Sequence, residues 1–120
     1  MKHTLSNEVK KAIEHNKPVL ALESTILSSG MPYPQSLDFF HKTEKICYEN
    51  GVVPATIAII KGEIQVGLNN NHAEYITKSK NIKKISKREL GVCLQKKYSG
   101  ATTVSSTSHI AHSLGIKVFS

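Results

Sequence analysis

The sequence contains little arginine, few aromatic residues, two cysteines and no long apolar run. Of its 16 basic residues only Arg88 is an arginine, although the formal net charge is +7. Specific contacts to bases and bidentate contacts to phosphate rely on arginine, and stacking on bases requires aromatic side chains. The scattered lysines therefore favour a solvated surface. A nucleic-acid-binding domain stays open as an alternative, but we expect no nucleic-acid partner.

The scarcity of cysteine and of apolar runs limits where the protein is expected to work. Cys47 and Cys93 are too few for a disulfide framework and lack metal-binding spacing. Cys47 lies in an apolar helical stripe, so we expect a buried free thiol in a reducing compartment. No apolar run approaches the roughly 20 residues of a membrane span, and the N-terminal segment has no signal-peptide core. These features predict a cytoplasmic protein without a membrane partner.

Helical and strand patterns alternate along the chain. Capping residues, apolar periodicity and terminating Gly or Pro predict helices at 6–16, 36–50, 72–78, 86–97 and 104–114. Short apolar, β-branched runs predict strands at 19–23, 52–60, 63–68, 82–85 and 116–119, with a hairpin turn at Lys61-Gly62 and a further turn at 100–103. This order predicts one α/β domain over residues 1–120, with layered α/β/α architecture and a mixed sheet.

Residues 20–35, LALESTILSSGMPYPQ, are the most informative segment. A short apolar strand ends on the carboxylate of Glu23, and a loop shaped by Gly30, Pro32 and Pro34 follows. Ligand sites of α/β proteins form at such strand ends. A carboxylate there loses solvation, which favours the protonated form that a general acid needs. The alternative is an ordinary strand-to-helix connection with a solvated glutamate.

A second candidate segment is GATTVSS, residues 100–106. Small residues and hydroxyls that lead into a helix can expose backbone N–H groups to an anion, although an ordinary capped turn has the same composition. The segment lacks the ending of a Walker A loop. On the helix that follows, His109 and His112 share a face, but without a third ligand they are expected to be surface or packing residues. The sequence thus offers no metal ligand set.

Four segments together resemble the pseudouridine-5′-phosphate glycosidases, the family that includes indigoidine synthase A-like proteins. The segment ALESTILSSGMPYPQ is similar to the family's N-terminal signature. It is followed, in the family's order and spacing, by VPATIAIIKGEIQVGL, KISKREL and GATTVSSTSHIAHSLGIKVF. Together the segments span nearly the whole chain from Lys17 to Ser120. The chain is therefore identified as a member of this family from its sequence.

The resemblance assigns roles to three residues. Glu23 matches the glutamate that protonates C5 of uracil, Lys84 matches a lysine that contacts the ribose phosphate, and the main chain near Val104 lies against the substrate. Without the resemblance, Lys84 could not be chosen over Lys83 or Lys87. Two positions depart from the family pattern. Ser29 stands where histidine is common, and Glu89 where aspartate is common.

The resemblance also implies a reaction, a cofactor and an assembly. The family cleaves pseudouridine 5′-phosphate reversibly to uracil and ribose 5-phosphate, using a Schiff-base lysine and manganese held by an aspartate. Both of those residues lie downstream of the segment KVF in the family, and family members form trimers. We therefore expect this chain to be a truncated N-terminal portion that is inactive alone. The alternative is a phosphosugar-binding remnant without catalytic activity.

Overall fold

A computed structural model describes residues 2–119; Met1 and Ser120, the limits of the predicted 1–120 domain, lie outside the described residues. The helices of the described part are α1 (Asn7–Glu14), α2 (Gln35–Glu49), α3 (Asn70–Lys78), α4 (Leu90–Gln95) and α5 (Val104–Ser113). Its strands are β1 (His3–Leu5), β2 (Val19–Leu22), β3 (Val53–Ile60), β4 (Glu63–Val66), β5 (Lys83–Ile85), β6 (Gly100–Thr102) and β7 (Val118–Phe119).

The strands form one mixed, seven-stranded sheet. Its main order is β1-β4-β3-β2-β7, and β6 pairs with both β3 and β5. Pairing is parallel except where β3 meets β4 and β6. The apolar, β-branched sequence of β3 suits a central strand, and its six inner residues are buried. The hairpin turn has positive φ at both Lys61 and Gly62, as a type I′ turn requires.

Helices cover both faces of the sheet, which confirms the predicted layered α/β/α architecture. On one face, Val9 of α1, Cys93 of α4 and Ile110 of α5 pack with Ile57 and Ile59 of β3. The other face carries α2, α3 and a single π-helical turn, Ile26–Gly30. The buried core between these helices and the sheet consists of Leu27, Phe40, Ala58, Leu68, Ala73 and Ile76. Cys47 is buried and unpaired, as predicted.

Two strands share one edge of β3 and meet end to end. Residues Val53–Thr56 of β3 pair in parallel with β2, and further along the same edge Ala58 and Ile59 pair antiparallel with β6. The opposite edge of β3 is occupied by β4. Since β2 and β6 run towards each other, their carboxyl ends meet beside Ile57. The chain therefore delivers two strand ends to one point of the sheet.

The prediction of a turn at residues 100–103 was wrong, because strand β6 occupies most of this segment. Gly, Ala and Thr look like turn residues, but β3 and β5 both hydrogen-bond to this segment. Gly100 is needed there, since an added Cβ would collide with the side chain of Ile85. Strand β1 was not predicted either. The helix predicted over 86–97 is a 3₁₀ turn, Lys87–Glu89, followed by α4.

The remaining predicted elements are present, with ends shifted by up to two residues. Ser6 caps α1 by accepting a hydrogen bond from the Val9 N–H at 3.2 Å. No helix within residues 2–119 combines the length and the apolar character that crossing a membrane demands.

Candidate functional site

Glu23 lies directly after β2 and is half-buried. Its Oε2 atom accepts a hydrogen bond from the Thr25 backbone N–H at 3.2 Å. Within residues 2–119, Oε1 has no hydrogen-bond partner. The π-helical turn that follows holds the loop compact, and the hydroxyls of Ser28 and Ser29 donate to the Thr25 carbonyl, each at 3.2 Å. Ser29, one of the two departures from the family pattern, thus braces the loop beside Glu23.

The two residues after Glu23 are hydrogen-bonded to Thr102 at the end of β6. The Ser24 N–H donates to the Thr102 carbonyl at 3.1 Å, and the Thr102 N–H donates to Ser24 Oγ at 2.8 Å. The Thr25 hydroxyl donates to the same carbonyl at 2.9 Å. These bonds close the gap between the facing ends of β2 and β6. They also fix the backbone of Glu23 relative to the start of α5.

The Thr102 hydroxyl continues this network into the protein interior. It donates to the carbonyl of Ile57 at 2.6 Å and accepts from the hydroxyl of Thr107 at 2.8 Å. Thr102, Thr107 and Ser24 are all 0% exposed. The Ile57 carbonyl faces the point where β2 has ended and β6 has not yet paired, so the Thr102 hydroxyl replaces a missing strand partner. Each of these buried groups is satisfied, as buried polar groups must be.

Lys84 lies on β5, and its side chain is exposed. In the strand register Lys84 is opposite Ala101, and Ala101 is opposite Ala58. Paired residues share a face of a sheet. Lys84 is therefore on the face that carries α2 and α3, about 10 Å and two strand spacings from Ala58. Lys83 faces the other way, with its Nζ atom 5.0 Å from the centre of the Tyr98 ring.

Val104 is the first residue of α5, and its side chain is 58% exposed. The backbone N–H groups of a first helical turn have no carbonyl partner within the helix. Thr103 caps the helix, and its own N–H donates to the Ile85 carbonyl at 3.2 Å. The end of β6 thereby also binds the end of β5. Val104 therefore presents main-chain donors next to the strand ends that carry Glu23 and Lys84.

The hydroxyls of the segment GATTVSS serve the fold rather than an open anion cradle. Ser106 donates its hydroxyl to the Ile85 carbonyl at 2.6 Å, and Ser105 accepts from the Lys87 N–H at 3.1 Å. The Thr102 hydroxyl is buried and donates to the Ile57 carbonyl. What this segment leaves open to a ligand is main chain at the start of α5, where Val104 lies.

A cavity of about 200 Å³ adjoins Glu23. It lies between α2 and the sheet and is mostly apolar. Its lining residues are Leu22, Glu23, Ile26, Leu27, Phe39, Phe40, Thr43 and Thr56. Leu22 and Thr56 are paired across β2 and β3 and lie on the same face as Lys84. Glu23 and Lys84 thus both border the α2 side of the sheet.

The second departure from the family pattern, Glu89, has a local structural role. Ser86 and Glu89 form a capping box, in which Glu89 Oε1 accepts from the Ser86 hydroxyl at 2.5 Å and from the Ser86 N–H at 3.2 Å. These hydrogen bonds lower the pKa of the Glu89 carboxyl. The box fixes the turn that follows β5.

Within residues 2–119, no three His, Cys, Asp or Glu side chains come together in an arrangement that could hold a metal ion. His109 and His112 lie on α5 without a third ligand from that part of the chain. The described residues therefore do not fit a metal centre.

Comparison with known proteins places the chain in a family. Residues 8–120 match the family described as indigoidine synthase A like protein. The chain belongs to this family. A protein of Caldanaerobacter subterraneus named pseudouridine-5′-phosphate glycosidase is 56% identical over 115 residues, which are 96% of this chain and 38% of that protein. One of the same name from Alkaliphilus metalliredigens is 52% identical over 93% of this chain and 36% of its own length. The chain thus spans under two-fifths of these relatives.

Two solved structures have the same fold. The prealnumycin C-glycosynthase AlnA, crystallised with ribulose 5-phosphate, superposes with a TM-score of 0.88 at 37% identity, over 99% of this chain and 38% of that one. An indigoidine synthase A-like protein from Thermotoga maritima gives a TM-score of 0.81 at 30% identity, over 86% of this chain and 35% of that one. These matches confirm the α/β fold predicted from the sequence.

The sequence singled out Glu23, Lys84 and Val104 but not the residues that connect them. Ser24 and Thr102 are separated by 78 positions, and only the pairing of β3 with both β2 and β6 brings them together. A signal was present in the sequence, since hydroxyl residues lie at or within three residues of the ends of both strands. Small polar residues also fit a plain capped turn, so this signal alone does not identify a buried network.

Proposed function

We propose that this chain supplies the proton donor and part of the phosphosugar site of a pseudouridine-5′-phosphate glycosidase. The observation that carries the proposal is the meeting of the strand ends at which Glu23, Lys84 and Val104 lie. Relatives with that name share about half of the residues of this chain. Because the chain spans only part of their length, the activity of the whole enzyme is an inference.

Glu23 is proposed to deliver a proton to C5 of uracil. When the bond between C5 and the ribose carbon breaks, its electron pair stays on C5, and a proton must arrive there. A half-buried carboxyl group at a strand end suits this task, because it is partly shielded from water and held by the Thr25 N–H. Its second oxygen, without a partner within residues 2–119, is the one available to the substrate.

Lys84 and the start of α5 are proposed to hold the sugar phosphate. The ammonium group of Lys84 is exposed on the α2 side of the sheet and can form charge-assisted hydrogen bonds with phosphate. The free N–H groups around Val104 add neutral donors. The ribulose 5-phosphate bound by AlnA is a ligand of the same class.

The remaining parts of the reaction are inferred from the family resemblance. They comprise a Schiff-base lysine, a manganese ion and assembly into trimers. A cytoplasmic location is proposed on other grounds, namely the scarcity of cysteine and the lack of a long apolar run in the sequence. The described residues do not fit a manganese site. We propose that the lysine and the metal ligand come from the portion that this chain does not span. The 120-residue chain alone is then expected to release no uracil.

The test is a fused protein in which this chain replaces the matching 115 residues of the Caldanaerobacter subterraneus relative. The expected result is uracil release from pseudouridine 5′-phosphate, with manganese present, within about tenfold of the parent enzyme. Circular dichroism and gel filtration against the parent would verify the fold. Ribose 5-phosphate binding without uracil release would favour the phosphosugar-binding alternative. Absence of both binding and turnover in a folded protein would contradict the proposal.

A further inference from the structure

The buried hydroxyl network around Thr102 has no role in the chemistry assigned so far. Thr102 makes three backbone or side-chain contacts with the two residues that follow Glu23, and a fourth contact of 3.4 Å joins its Oγ1 to Ser24 Oγ. It also immediately precedes the cap of α5. One residue thus binds both the proton donor's loop and the segment that presents the Val104 main chain.

The direction of the hydrogen bonds in this network is determined by its acceptors. The Ile57 carbonyl can only accept, so Thr102 must donate to it at 2.6 Å. The lone pairs of the Thr102 oxygen then accept from Thr107 at 2.8 Å and, at 3.4 Å, from Ser24. Ser24 Oγ in turn accepts from the Thr102 N–H. The hydroxyls of Thr102, Thr107 and Ser24 therefore each have a defined donor direction, and the network holds the backbone that follows Glu23.

We propose that Thr102, together with Ser24 and Thr107, positions Glu23 for proton transfer. The inference rests on the proposed function for the reaction it serves. None of the three side chains needs to touch the substrate, since all are fully buried. Their effect is on the distance and angle between the Glu23 carboxyl group and the substrate held at α5. Proton transfer depends on such alignment much more strongly than binding does.

Valine in place of Thr102 tests this role, because it keeps the side-chain shape and removes the hydroxyl. Thr77 is the matched control: it is also a buried threonine whose hydroxyl donates within the fold, to the Ala73 carbonyl in α3 at 2.8 Å. In the fused protein we expect Thr102→Val to lower kcat at least tenfold and to change KM less than threefold. Thr77→Val should leave both unchanged. Thr102→Ser, which restores the hydroxyl, should recover kcat to within about threefold.

A second measurement needs no activity. Exchange of the Thr25 amide hydrogen with deuterium reports whether Glu23 Oε2 still holds that N–H. We expect Thr102→Val and Ser24→Ala to accelerate this exchange at least tenfold and Thr77→Val to leave it unchanged. If the unmodified fused protein releases no uracil but these exchange rates follow expectation, the glycosidase proposal fails while Thr102 is still shown to hold Glu23. If Thr102→Val matches Thr77→Val in exchange, or Thr102→Ser fails to restore kcat, the positioning role is overturned.

Discussion

The cavities beside the two ends of β2 differ in volume and in the chemistry of their lining residues. At its amino end lies a hollow of about 450 Å³, lined by Ile13, Asn16, Lys17, Pro18, Val19, Leu20, Val52, Gly115, Ile116, Lys117 and Val118. At its carboxyl end the cavity beside Glu23 is about 200 Å³. None of the described residues around the larger hollow contributes a carboxylate or a hydroxyl. The smaller cavity has both, next to a fully bonded network. Our proposed site is therefore chosen by its convergent polar groups rather than by cavity volume.

Replacement of Glu23 should have the greatest effect on activity. If the carboxyl end of β2 is the catalytic end, Glu23→Gln in the fused protein should lower kcat about 10²–10⁴-fold, the usual range for loss of a general acid. KM should change little, because glutamine preserves size and hydrogen bonding. Steady-state uracil release measures both constants.

The control for this substitution is Glu14→Gln at the end of α1, an exposed carboxylate. It should leave kcat unchanged. Retention of more than a tenth of kcat by Glu23→Gln would move the proton donor elsewhere.

The tightness of side-chain packing should also differ between the two ends of β2. Ile57 is 0% exposed beside the carboxyl end, so Ile57→Ala should lower the free energy of unfolding by about 2–5 kcal/mol. Ile116 is 8% exposed and already borders the larger hollow. Ile116→Ala therefore removes fewer contacts and should cost less. Urea unfolding of the two variants compares them, and an equal or larger cost at Ile116 would contradict the assignment of tighter packing to the carboxyl end.

The lysine pair on β5 tests which face of the sheet binds substrate. Lys84→Ala should raise KM for pseudouridine 5′-phosphate about 10–100-fold, since a hydrogen bond to a charged group contributes about 1.5–3 kcal/mol. Lys83→Ala, its neighbour on the opposite face, should change KM less than threefold. Binding of ribose 5-phosphate, measured by calorimetry, should also be weakened more by Lys84→Ala than by Lys83→Ala. A larger effect at Lys83 would place the phosphosugar on the other face.

The smallest expected effect concerns Glu44 on α2. Burial, followed by the negative charge of Glu8, raises the pKa of Glu44 to about 7. The folded state therefore binds this proton more tightly than the unfolded state, whose pKa is near 4.5. The resulting stabilisation is complete below about pH 4.5 and is lost as the pH rises through about 7. Since Glu44 is only half-buried, solvent screening reduces the effect to about 1 kcal/mol.

Glu44→Gln should flatten the dependence of stability on pH between 5 and 8, as followed by thermal unfolding. An unchanged slope would show that Glu44 is ionised in the folded protein throughout this range.

Local patterns were sufficient to predict most elements of the fold. The predicted helices that correspond to α1, α2, α3 and α5 and the β3–β4 hairpin were confirmed, because Ser6, Lys61, Gly62 and Gly115 act through local rules of capping and turns. Strand β6 escaped prediction because its Gly-Ala-Thr sequence forms a strand only between β3 and β5. Propensity carries no information about such long-range pairing.

The candidate site, like the fold, has features that the sequence predicted and features that only the folded structure shows. The positions of Glu23, Lys84 and Val104 were predicted, by resemblance as much as by pattern, and their roles stay predictions. What the sequence could not reveal is that Ser24 and Thr102 meet, since the end-to-end arrangement of β2 and β6 is a property of the folded sheet.

A crystal structure of the fused protein with Glu23→Gln and bound pseudouridine 5′-phosphate would test the central claim most directly. We expect uracil C5 to lie within about 3.5 Å of the residue 23 side chain. We expect the sugar phosphate to contact Lys84 and the main chain of Val104. Substrate in the hollow at the amino end of β2, or base and phosphate remote from these three residues, would contradict it.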